Sequence, residues 1–428
     1  MRLRSVLRPI PAALLFISIA GTALAQSLGR ATPEQVGMSS ERLARLSDAM
    51  RQYIDDGRLA GAVVLVARRG HIVWFESFGM RDRESGSLMT PDAMFRIASQ
   101  SKAIASVAVL MLQEQGSLLI SDPVSKYLPA FEKTTVAVRR DDGGYDVVDA
   151  RRPMTIRDLL THTSGLGYGG GVARDRWEAA GITGWYFADR SEPIAETVSR
   201  MARLPMDTQP GERFNYGYST DVLGAVVEKV SGMSLDAFLR ESIFEPLGMH
   251  DTYFYPPALD LDRIATVYSA TPHGIERAPT PGGMIGQGAY MEGLRASFSG
   301  GAGLVSTAMD YTRFLQMLLD GGELDGIRLL SPTTVRLMTI DHIGDRYGTP
   351  GAGFGLGFEV TTDAGRLGRP GSNGTFGWGG AYHSTYWVDP GEQLVVTYFT
   401  QLIPAGGIDD HGKLRALVYQ AIVDGVHH

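Results

Sequence analysis

Strand-like segments occur near both ends of the chain, and the sequence between them is mostly helical and rich in loops. Near the amino end, residues 62–67 and 71–78 are apolar-rich runs joined by a turn at Arg69-Gly70. Near the carboxyl end, similar runs cover residues 356–361, 385–388 and 394–400. The simplest packing is one antiparallel sheet built from both termini and covered by helices. We therefore predict an α+β fold in which residues 26–118 and 295–428 form a sheet domain and residues 119–294 form an inserted helical domain.

Apolar residues at spacings of three and four predict the helices. The first runs from about Ser40 and ends at Gly57, and a longer apolar helix runs from about Ser99 to Gln115. Further helices are predicted at residues 156–162, 194–203, 220–230, 235–244 and 413–423. Residues 254–300 are rich in glycine and proline and are predicted to be irregular. We expect the loops at 165–190 and 254–300 to shape a pocket where the two parts of the chain meet.

The first 25 residues have the three-part pattern of a secretory signal peptide. Three arginines precede an apolar run at residues 12–20, and Ala23-Leu24-Ala25 forms a small-x-small cleavage site before Gln26. An amino-terminal membrane anchor is the alternative, but the apolar run is short and its flanks are those of a signal peptide. We therefore expect a periplasmic or secreted protein without a stable membrane anchor.

Composition excludes several classes of function. The 428 residues carry a formal net charge of −7, which argues against a nucleic-acid-binding surface. The chain has no cysteine, which excludes a thiol nucleophile and any zinc site with thiolate ligands. Its nine histidines are scattered, except for the pair His427-His428 at the tail, and none lies in an H-E-x-x-H motif. We therefore predict neither a metal nor an organic cofactor, and the oligomeric state stays open.

One serine is a candidate nucleophile. No serine lies in a G-x-S-x-G motif, but Ser99-Gln100-Ser101-Lys102 opens the predicted apolar helix. At spacing i and i+3, Ser99 and Lys102 share one helix face, so the amine can take the proton that the hydroxyl must lose. Only five of the 40 basic residues are lysines, and arginine cannot serve as a base. The alternative is a capping serine and a lysine that extends from a core helix.

Two further elements can complete such a site. Tyr216 lies in Pro210–Ser219, before a predicted helix, and its phenol could relay a proton to a leaving group. Trp378-Gly379-Gly380-Ala381 lies in a strand or tight turn, where glycines let another group approach the backbone closely. A backbone N–H there could join that of Ser99 in an oxyanion hole. The alternatives are a packed aromatic residue under a loop and a glycine bend beside a core tryptophan.

Together and in this order, the three elements resemble the class C β-lactamase-like serine hydrolases, most closely the carboxylesterases called family VIII. The resemblance runs from about residue 33 to residue 424 and implies the serine β-lactamase/penicillin-binding-protein fold. It implies that Ser99 forms an acyl-enzyme, that Lys102 and Tyr216 act as the coupled general base and acid, and that the N–H groups of Ser99 and Ala381 hold the oxyanion. Supporting stretches are Tyr127-Leu128-Pro129, Leu159–Leu166, Gly301–Leu304 and Trp387-Val388-Asp389-Pro390.

Two positions depart from the lactamase pattern. Tyr218 stands where the lactamases have the asparagine of Tyr-x-Asn, and Trp378 stands where they have the lysine of Lys-Thr-Gly. Both changes remove polar partners that an anionic amide substrate requires. A neutral ester loses nothing and gains an aromatic wall, and Trp-Gly-Gly is similar to the esterase pattern. We therefore expect Tyr218, Trp378, Gly379 and Gly380 to contact substrate.

These residues predict an exported serine carboxylesterase that cleaves short-chain acyl or aryl esters. The alternatives are a β-lactamase or D-amino-acid peptidase of the same fold, an acyltransferase, and a penicillin-binding sensor that is acylated without turnover. His162 matches a position of the family that looks structural, so we do not assign it a catalytic role. His383 follows the glycine pair and is expected to be a surface histidine or, alternatively, a substrate contact.

Overall fold

A computed structural model of the protein describes residues 28–291 and 293–424. The predicted signal peptide and the terminal histidine pair lie outside the described residues. The strands are β1 (Gly29–Arg30), β2 (Gly61–Arg68), β3 (His71–Asp82), β4 (Ser87–Leu88), β5 (Phe95–Arg96), β6 (Thr135–Arg139), β7 (Tyr145–Asp149), β8 (Tyr268–Thr271), β9 (Gly274–Arg277), β10 (Val305–Ser306), β11 (Glu323–Leu324), β12 (Ile327–Arg328), β13 (Ala352–Phe354), β14 (Glu359–Thr361), β15 (Phe376–Gly379), β16 (Thr385–Asp389) and β17 (Leu394–Thr400).

The helices cluster on both faces of the large sheet and in the middle of the chain. They are α1 (Ser40–Asp55), α2 (Ser101–Glu114), α3 (Ile156–Leu160), α4 (Arg174–Ala179), α5 (Ile194–Met201), α6 (Ser219–Ser231), α7 (Leu235–Leu239), α8 (Glu245–Leu247), α9 (Ala308–Leu319), α10 (Pro332–Met338), α11 (Ala364–Leu367) and α12 (Asp410–Tyr419). No helix within the described ranges combines the length and the apolar character needed to cross a bilayer.

The large sheet is built from both ends of the chain, as predicted. Its strand order is β1-β3-β2-β17-β16-β15-β14-β13, and the short β4 also pairs with β3. The two halves of the chain join where β2 pairs antiparallel with β17, for example at Val64 and Tyr398. The sheet is antiparallel as predicted except at one edge, where the short β1 runs parallel to β3 and makes the sheet mixed.

Both faces of the sheet are covered. Val63 and Leu65 of β2 belong to the core cluster shared with α2 and α9, whereas Val64 and Val66 belong to the cluster shared with α1 and α12. Successive side chains of a strand point to opposite faces, so a strand covered on both sides needs an unbroken apolar run. Every residue of β2 is buried accordingly.

The middle of the chain contains more strand than predicted. Two hairpins, β6–β7 and β8–β9, lie there, and β8–β9 falls within the segment predicted to be irregular. The helix predicted at residues 235–244 is divided into α7, a π-helical turn at Arg240–Phe244, and the short α8. Helices α9 and α10 were not predicted. Within the described residues the large sheet takes no strand from 119–294, and the domain boundaries themselves stay a prediction.

Replacing Leu65 with alanine should lower the free energy of unfolding by about 2–5 kcal/mol, because it leaves a cavity in a strand that is buried on both faces. Denaturant unfolding followed by circular dichroism measures the change. The matched control is Leu88→Ala, since that side chain is 65% exposed and its loss should cost less than about 0.5 kcal/mol. Equal losses in the two variants would contradict the assignment of β2 to the sheet centre.

Candidate active site

Ser99 lies in a tight backbone turn between a strand and a helix. It is the middle residue of a 3₁₀ turn at Ala98–Gln100, and α2 begins two residues later than predicted, at Ser101. Ala98 has φ 43°, in the left-handed region that disfavours residues with a side chain. Such a conformation persists only where the surrounding structure fixes it, which is a recurrent property of active-site backbone.

Lys102 places its amine beside Ser99. Its side chain is buried at 2% exposure in the first turn of α2. The Nζ atom lies 3.3 Å from Ser99 Oγ, 3.0 Å from the hydroxyl of Tyr168 and 2.7 Å from the carbonyl oxygen of Gly301. All three neighbours are oxygens, and none of them is a carboxylate. The predicted Ser–Lys pair is therefore present as a contact between the two functional atoms.

Tyr216 lies on the other side of the amine. The centre of its ring is 4.7 Å from Lys102 Nζ. Its hydroxyl accepts a hydrogen bond of 3.0 Å from the indole Nε1 of Trp378. Within the described residues, that hydroxyl forms no hydrogen bond with Ser99 or Lys102. The structure thus places Tyr216, from the second predicted element, beside Ser99 and Lys102. Trp378, from the third element, orients the Tyr216 phenol.

Aromatic rings surround Tyr216. The His162 ring is 4.7 Å from the ring of Tyr216, and Phe214 and Phe354 pack against His162. The pKa of His162 is lowered well below its ordinary value, mainly by burial and to a smaller extent by the charge of Lys102. His162 is therefore neutral at neutral pH, and its position beneath Tyr216 is that of a packing residue.

The third element reaches the turn that carries Ser99 through a glycine. β15 pairs with β14 only through Phe376 and Gly377, so Trp378 and the residues after it lie beyond that pairing. A Cβ atom on Gly380 would lie 2.5 Å from the carbonyl oxygen of Ile97, two residues before Ser99. The predicted close approach is therefore made at Gly380, and the backbone before Ser99 is the group that approaches.

Two N–H groups are available at this junction. Within the described residues, neither the N–H of Ser99 nor that of Ala381 donates a hydrogen bond to another backbone or side-chain group. Buried backbone donors are almost always paired in folded proteins, so these two N–H groups, which lack a partner within the protein, are available to water or to a ligand beside Ser99. Both residues are partly exposed.

Tyr218 was expected to contact substrate, but the structure places it out of reach of a ligand. Its side chain is completely buried, and its hydroxyl donates a 2.8 Å hydrogen bond to the carbonyl oxygen of Gly184. Its ring packs edge-on against Tyr168 at 5.1 Å and stacks on Trp177 at 5.6 Å. Tyr218 therefore supports Tyr168 from behind. Of the four residues expected to contact substrate, Trp378, Gly379 and Gly380 are partly exposed.

Two residues of the site, Tyr168 and Asp221, were not identified from the sequence. Tyr168 contacts Lys102 directly. The sequence signal that could have identified it is its position two residues after the stretch Leu159–Leu166. Asp221 is a fully buried acid in the apolar helix α6, and it accepts hydrogen bonds from Ser299 and from the N–H of Gly301. Burial raises the pKa of Asp221, although the charge of Lys102 opposes this shift. Asp221 thereby fixes the loop whose Gly301 carbonyl faces the amine.

Within the described residues, the side-chain cluster most suited to a metal ion does not include Ser99, Lys102 or Tyr216. His383, Asp410 and His411 bring ligand atoms within 4.8 Å of one another. The His383 side chain is 14% exposed and forms a 2.8 Å hydrogen bond to Asp410, so it is more enclosed than a surface histidine.

Residues 46–419 match the family model described as Beta-lactamase. The chain belongs to the beta-lactamase family. It is 35% identical over 395 residues to Protein Rv1367c of Mycobacterium tuberculosis, with 84% of this chain and 90% of that protein covered. It is 34% identical over 380 residues to esterase EstB of Burkholderia gladioli, with 83% and 90% covered. The solved structure of EstCE1, a hydrolase with promiscuous acyltransferase activity, is similar at 31% identity and TM-score 0.77, with 89% of this chain and 99% of EstCE1 covered.

Replacing Gly380 with alanine should destabilise the protein by about 1–3 kcal/mol, because the new methyl group meets the Ile97 carbonyl. Thermal or denaturant unfolding measures this loss. Gly412→Ala is the matched control, since a Cβ there meets no atom within 4 Å and a helical alanine is favoured over glycine. A Gly380→Ala variant as stable as the wild type would show that the two segments are not in contact.

Proposed function

We propose that this β-lactamase-family serine hydrolase is a carboxylesterase that cleaves small esters with short acyl or aryl groups. The observation that carries the proposal is the environment of Lys102 Nζ. Lys102 Nζ donates to three oxygens, those of the Ser99 hydroxyl, the Tyr168 hydroxyl and the Gly301 carbonyl. Once the amine has lost one proton, two N–H bonds remain for Tyr168 and Gly301, and the lone pair faces the Ser99 hydroxyl, whose proton it can take.

Acylation follows from this arrangement. Ser99 Oγ attacks the carbonyl carbon of the ester while its proton passes to Lys102 Nζ. The negative charge that develops on the carbonyl oxygen is held by the N–H groups of Ser99 and Ala381. The bond to the leaving alkoxide then breaks, and the alkoxide takes the proton of Tyr216, which Lys102 replaces.

Deacylation repeats these steps with water. Water attacks the acyl-enzyme carbonyl and gives its proton, through Tyr216, to Lys102. Collapse of the second tetrahedral intermediate breaks the bond to Ser99 Oγ, which recovers its proton from Lys102. The acid product leaves and the enzyme is regenerated, without a metal or an organic cofactor in the cycle.

The substrate class rests on Trp378. A neutral indole stands where a lactamase has a cation, and its N–H is engaged by the catalytic phenol. Apart from Lys102, the described side chains that pack around Tyr216 are aromatic. A carboxylate substrate would therefore find no cation at the position of Trp378 to offset its lost hydration. A neutral ester has no such cost, and the likeness to EstB supports the same choice.

An acyltransferase is the second candidate. The solved relative EstCE1 is a hydrolase with promiscuous acyltransferase activity. In this chain the same acyl-enzyme would pass its acyl group to an alcohol when the alcohol replaces water. Product analysis with an added alcohol distinguishes the two reactions, since transfer yields a new ester and hydrolysis yields only the acid.

Export also belongs to the proposal. Cleavage after Ala25 would release the chain that begins at Gln26 into the periplasm or the medium. Amino-terminal sequencing of the protein recovered from that fraction tests the cleavage site.

Replacing Ser99 with alanine should abolish hydrolysis of a nitrophenyl ester, with a loss in kcat of more than about 10³-fold. Lys102→Arg should cost nearly as much, because it keeps the charge and removes the base. The matched control is Lys126→Arg, at an exposed lysine paired with Asp122, which should keep full activity. Undiminished turnover in Ser99→Ala would refute the assignment. A hundredfold preference for a chromogenic cephalosporin over a short-chain ester would favour a lactamase instead.

Replacing Trp378 with phenylalanine should lower kcat/KM about tenfold for an alkyl ester and much less for a nitrophenyl ester. The change keeps a ring but removes the N–H that orients the Tyr216 phenol, and only a poor leaving group needs a proton from that phenol. Trp74→Phe is the matched control, because its indole N–H has no hydrogen-bond partner in the described structure. Equal losses for both esters would show that Trp378 acts on binding alone.

A further inference from the structure

The turn that carries Ala381 has a strained corner. Residues 380–384 connect β15 to β16, and the turn is closed by hydrogen bonds from Gly380 N–H to Ser384 O (2.7 Å) and from His383 N–H to Gly380 O (3.0 Å). His383 has φ 69°, in the left-handed region. A residue with a Cβ atom enters this region at a cost, although histidine does so more often than most, and contacts from outside the turn offset that cost.

Those contacts come from the start of α12. The Nε2–H of His383 donates to Asp410 Oδ1 at 2.8 Å, and the Nε2–H of His411 donates to the carbonyl oxygen of His383 at 3.0 Å. The two imidazole rings stack with centroids 4.1 Å apart. The side chain and the carbonyl of His383 are therefore both tied to one helix end. We call His383, Asp410 and His411 the turn clamp.

The acid of the turn clamp is itself fixed. Asp410 has no exposed surface, its Oδ2 accepts 2.6 Å from the hydroxyl of Tyr398 on β17, and its Oδ1 accepts 2.9 Å from the N–H of His411. Burial acts to raise the pKa of Asp410, but the hydrogen bonds from His383 and Tyr398 outweigh it and keep the pKa below its ordinary value. A charged carboxylate thus holds the His383 ring at neutral pH.

A metal site is the competing interpretation of these three residues. Burial lowers the pKa of His411, so its ring is neutral and ready to act as a ligand. However, the Nε2 atoms of both histidines already donate hydrogen bonds within the cluster, and the rings stack at an angle of 16°. Nearly parallel rings do not direct their lone pairs at one point, as a shared ion requires.

The turn clamp holds the turn that contains Ala381, and so bears on the position of Ala381 relative to Ser99. The turn is held on one side by the contact of Gly380 with Ile97 and on the other by His383 with α12. Ala381 lies between these two anchors. Oxyanion donors must lie about 2.7–3.1 Å from the oxygen that carries the developing charge, and they must be held within about 0.5 Å of that position to be effective.

We propose that His383 is a positioning residue that, through Asp410 and His411, fixes the turn so that the N–H of Ala381 and the N–H of Ser99 face one carbonyl oxygen. The inference rests on the proposed acyl-enzyme chemistry. His383 itself touches neither the substrate nor the reacting atoms, and it acts through the backbone of residues 380–384.

Two variants of His383 test the proposal. His383→Leu removes the donor to Asp410, and we expect kcat for a nitrophenyl ester to fall between about tenfold and a hundredfold while KM changes less than about threefold. His383→Gln keeps an N–H donor at a similar reach and should recover most of the lost kcat. The affinity for a boronic acid, which forms a tetrahedral adduct on serine, should fall with kcat in His383→Leu.

A control separates positioning from general destabilisation. His342 is also half-buried and donates through Nε2 to a carbonyl oxygen, that of Leu337, away from the turn. His342→Leu should lower the melting temperature about as much as His383→Leu and leave kcat unchanged. Equal losses of kcat in the two variants, or a His383→Leu enzyme with wild-type kcat and boronate affinity, would overturn the proposal. So would activity lost to a chelator and restored by Zn²⁺ in the wild type alone.

The same variants remain informative if the chain does not hydrolyse esters. A fluorophosphonate reacts with an activated serine regardless of the natural substrate, and its phosphoryl oxygen uses the same donors. Slower labelling of Ser99 in His383→Leu, with recovery in His383→Gln, would support the positioning role even if no ester is turned over. Labelling at the wild-type rate would overturn it, whatever the substrate.

Discussion

The buried amine of Lys102 is the constraint on which the rest of the site depends. Its Nζ has three oxygens and no carboxylate as hydrogen-bond neighbours, and one of these oxygens is the Ser99 hydroxyl at 3.3 Å, so the nitrogen is placed to take the serine proton. Each oxygen neighbour comes from a different part of the fold. Ser99 precedes α2, Tyr168 lies in the central loops, and Gly301 lies in the loop fixed by Asp221. The position of one nitrogen thus requires three segments to fold together.

The sheet explains how segments so distant in sequence meet. The amino-terminal strand β2 pairs with β17, which pairs with β16 and, through it, with β15. The turn before α2 lies beside the end of β15. Gly380 lets those strands approach within contact of the Ile97 carbonyl. The central segment then adds Tyr216 above Lys102, and the indole of Trp378 joins Tyr216 to β15. Nucleophile, phenol and backbone donors therefore come from the two ends and the middle of the chain.

Much of this arrangement was predicted from the sequence, for identifiable reasons. The sheet from both termini follows from the apolar runs, because strands buried on both faces must be continuously apolar. Ser99 and Lys102 follow from spacing within one helical turn. Tyr168 and Asp221 were missed because each lies in a segment whose place in space no local pattern reveals. Tyr218 was expected in the cleft from its motif position, yet the stacking of Trp177 places it behind Tyr168. The parallel pairing of β1 with β3 involves only two residues of β1, too few to form a recognisable sequence pattern.

The same comparison explains why His383 was undervalued. A histidine two residues after a glycine pair has no local signal of burial, and its acid partner lies 27 positions later, at the start of α12. Only the folded chain brings the two together. In our proposal, the last helix, which contains none of the proposed reacting groups, therefore fixes the backbone of the turn beside Ser99. A hydrolase that holds a developing charge with backbone N–H groups can adjust those groups only through what fixes their turn, and in our proposal that is the hydrogen bond from His383 to Asp410, on the opposite side of the turn from Ser99.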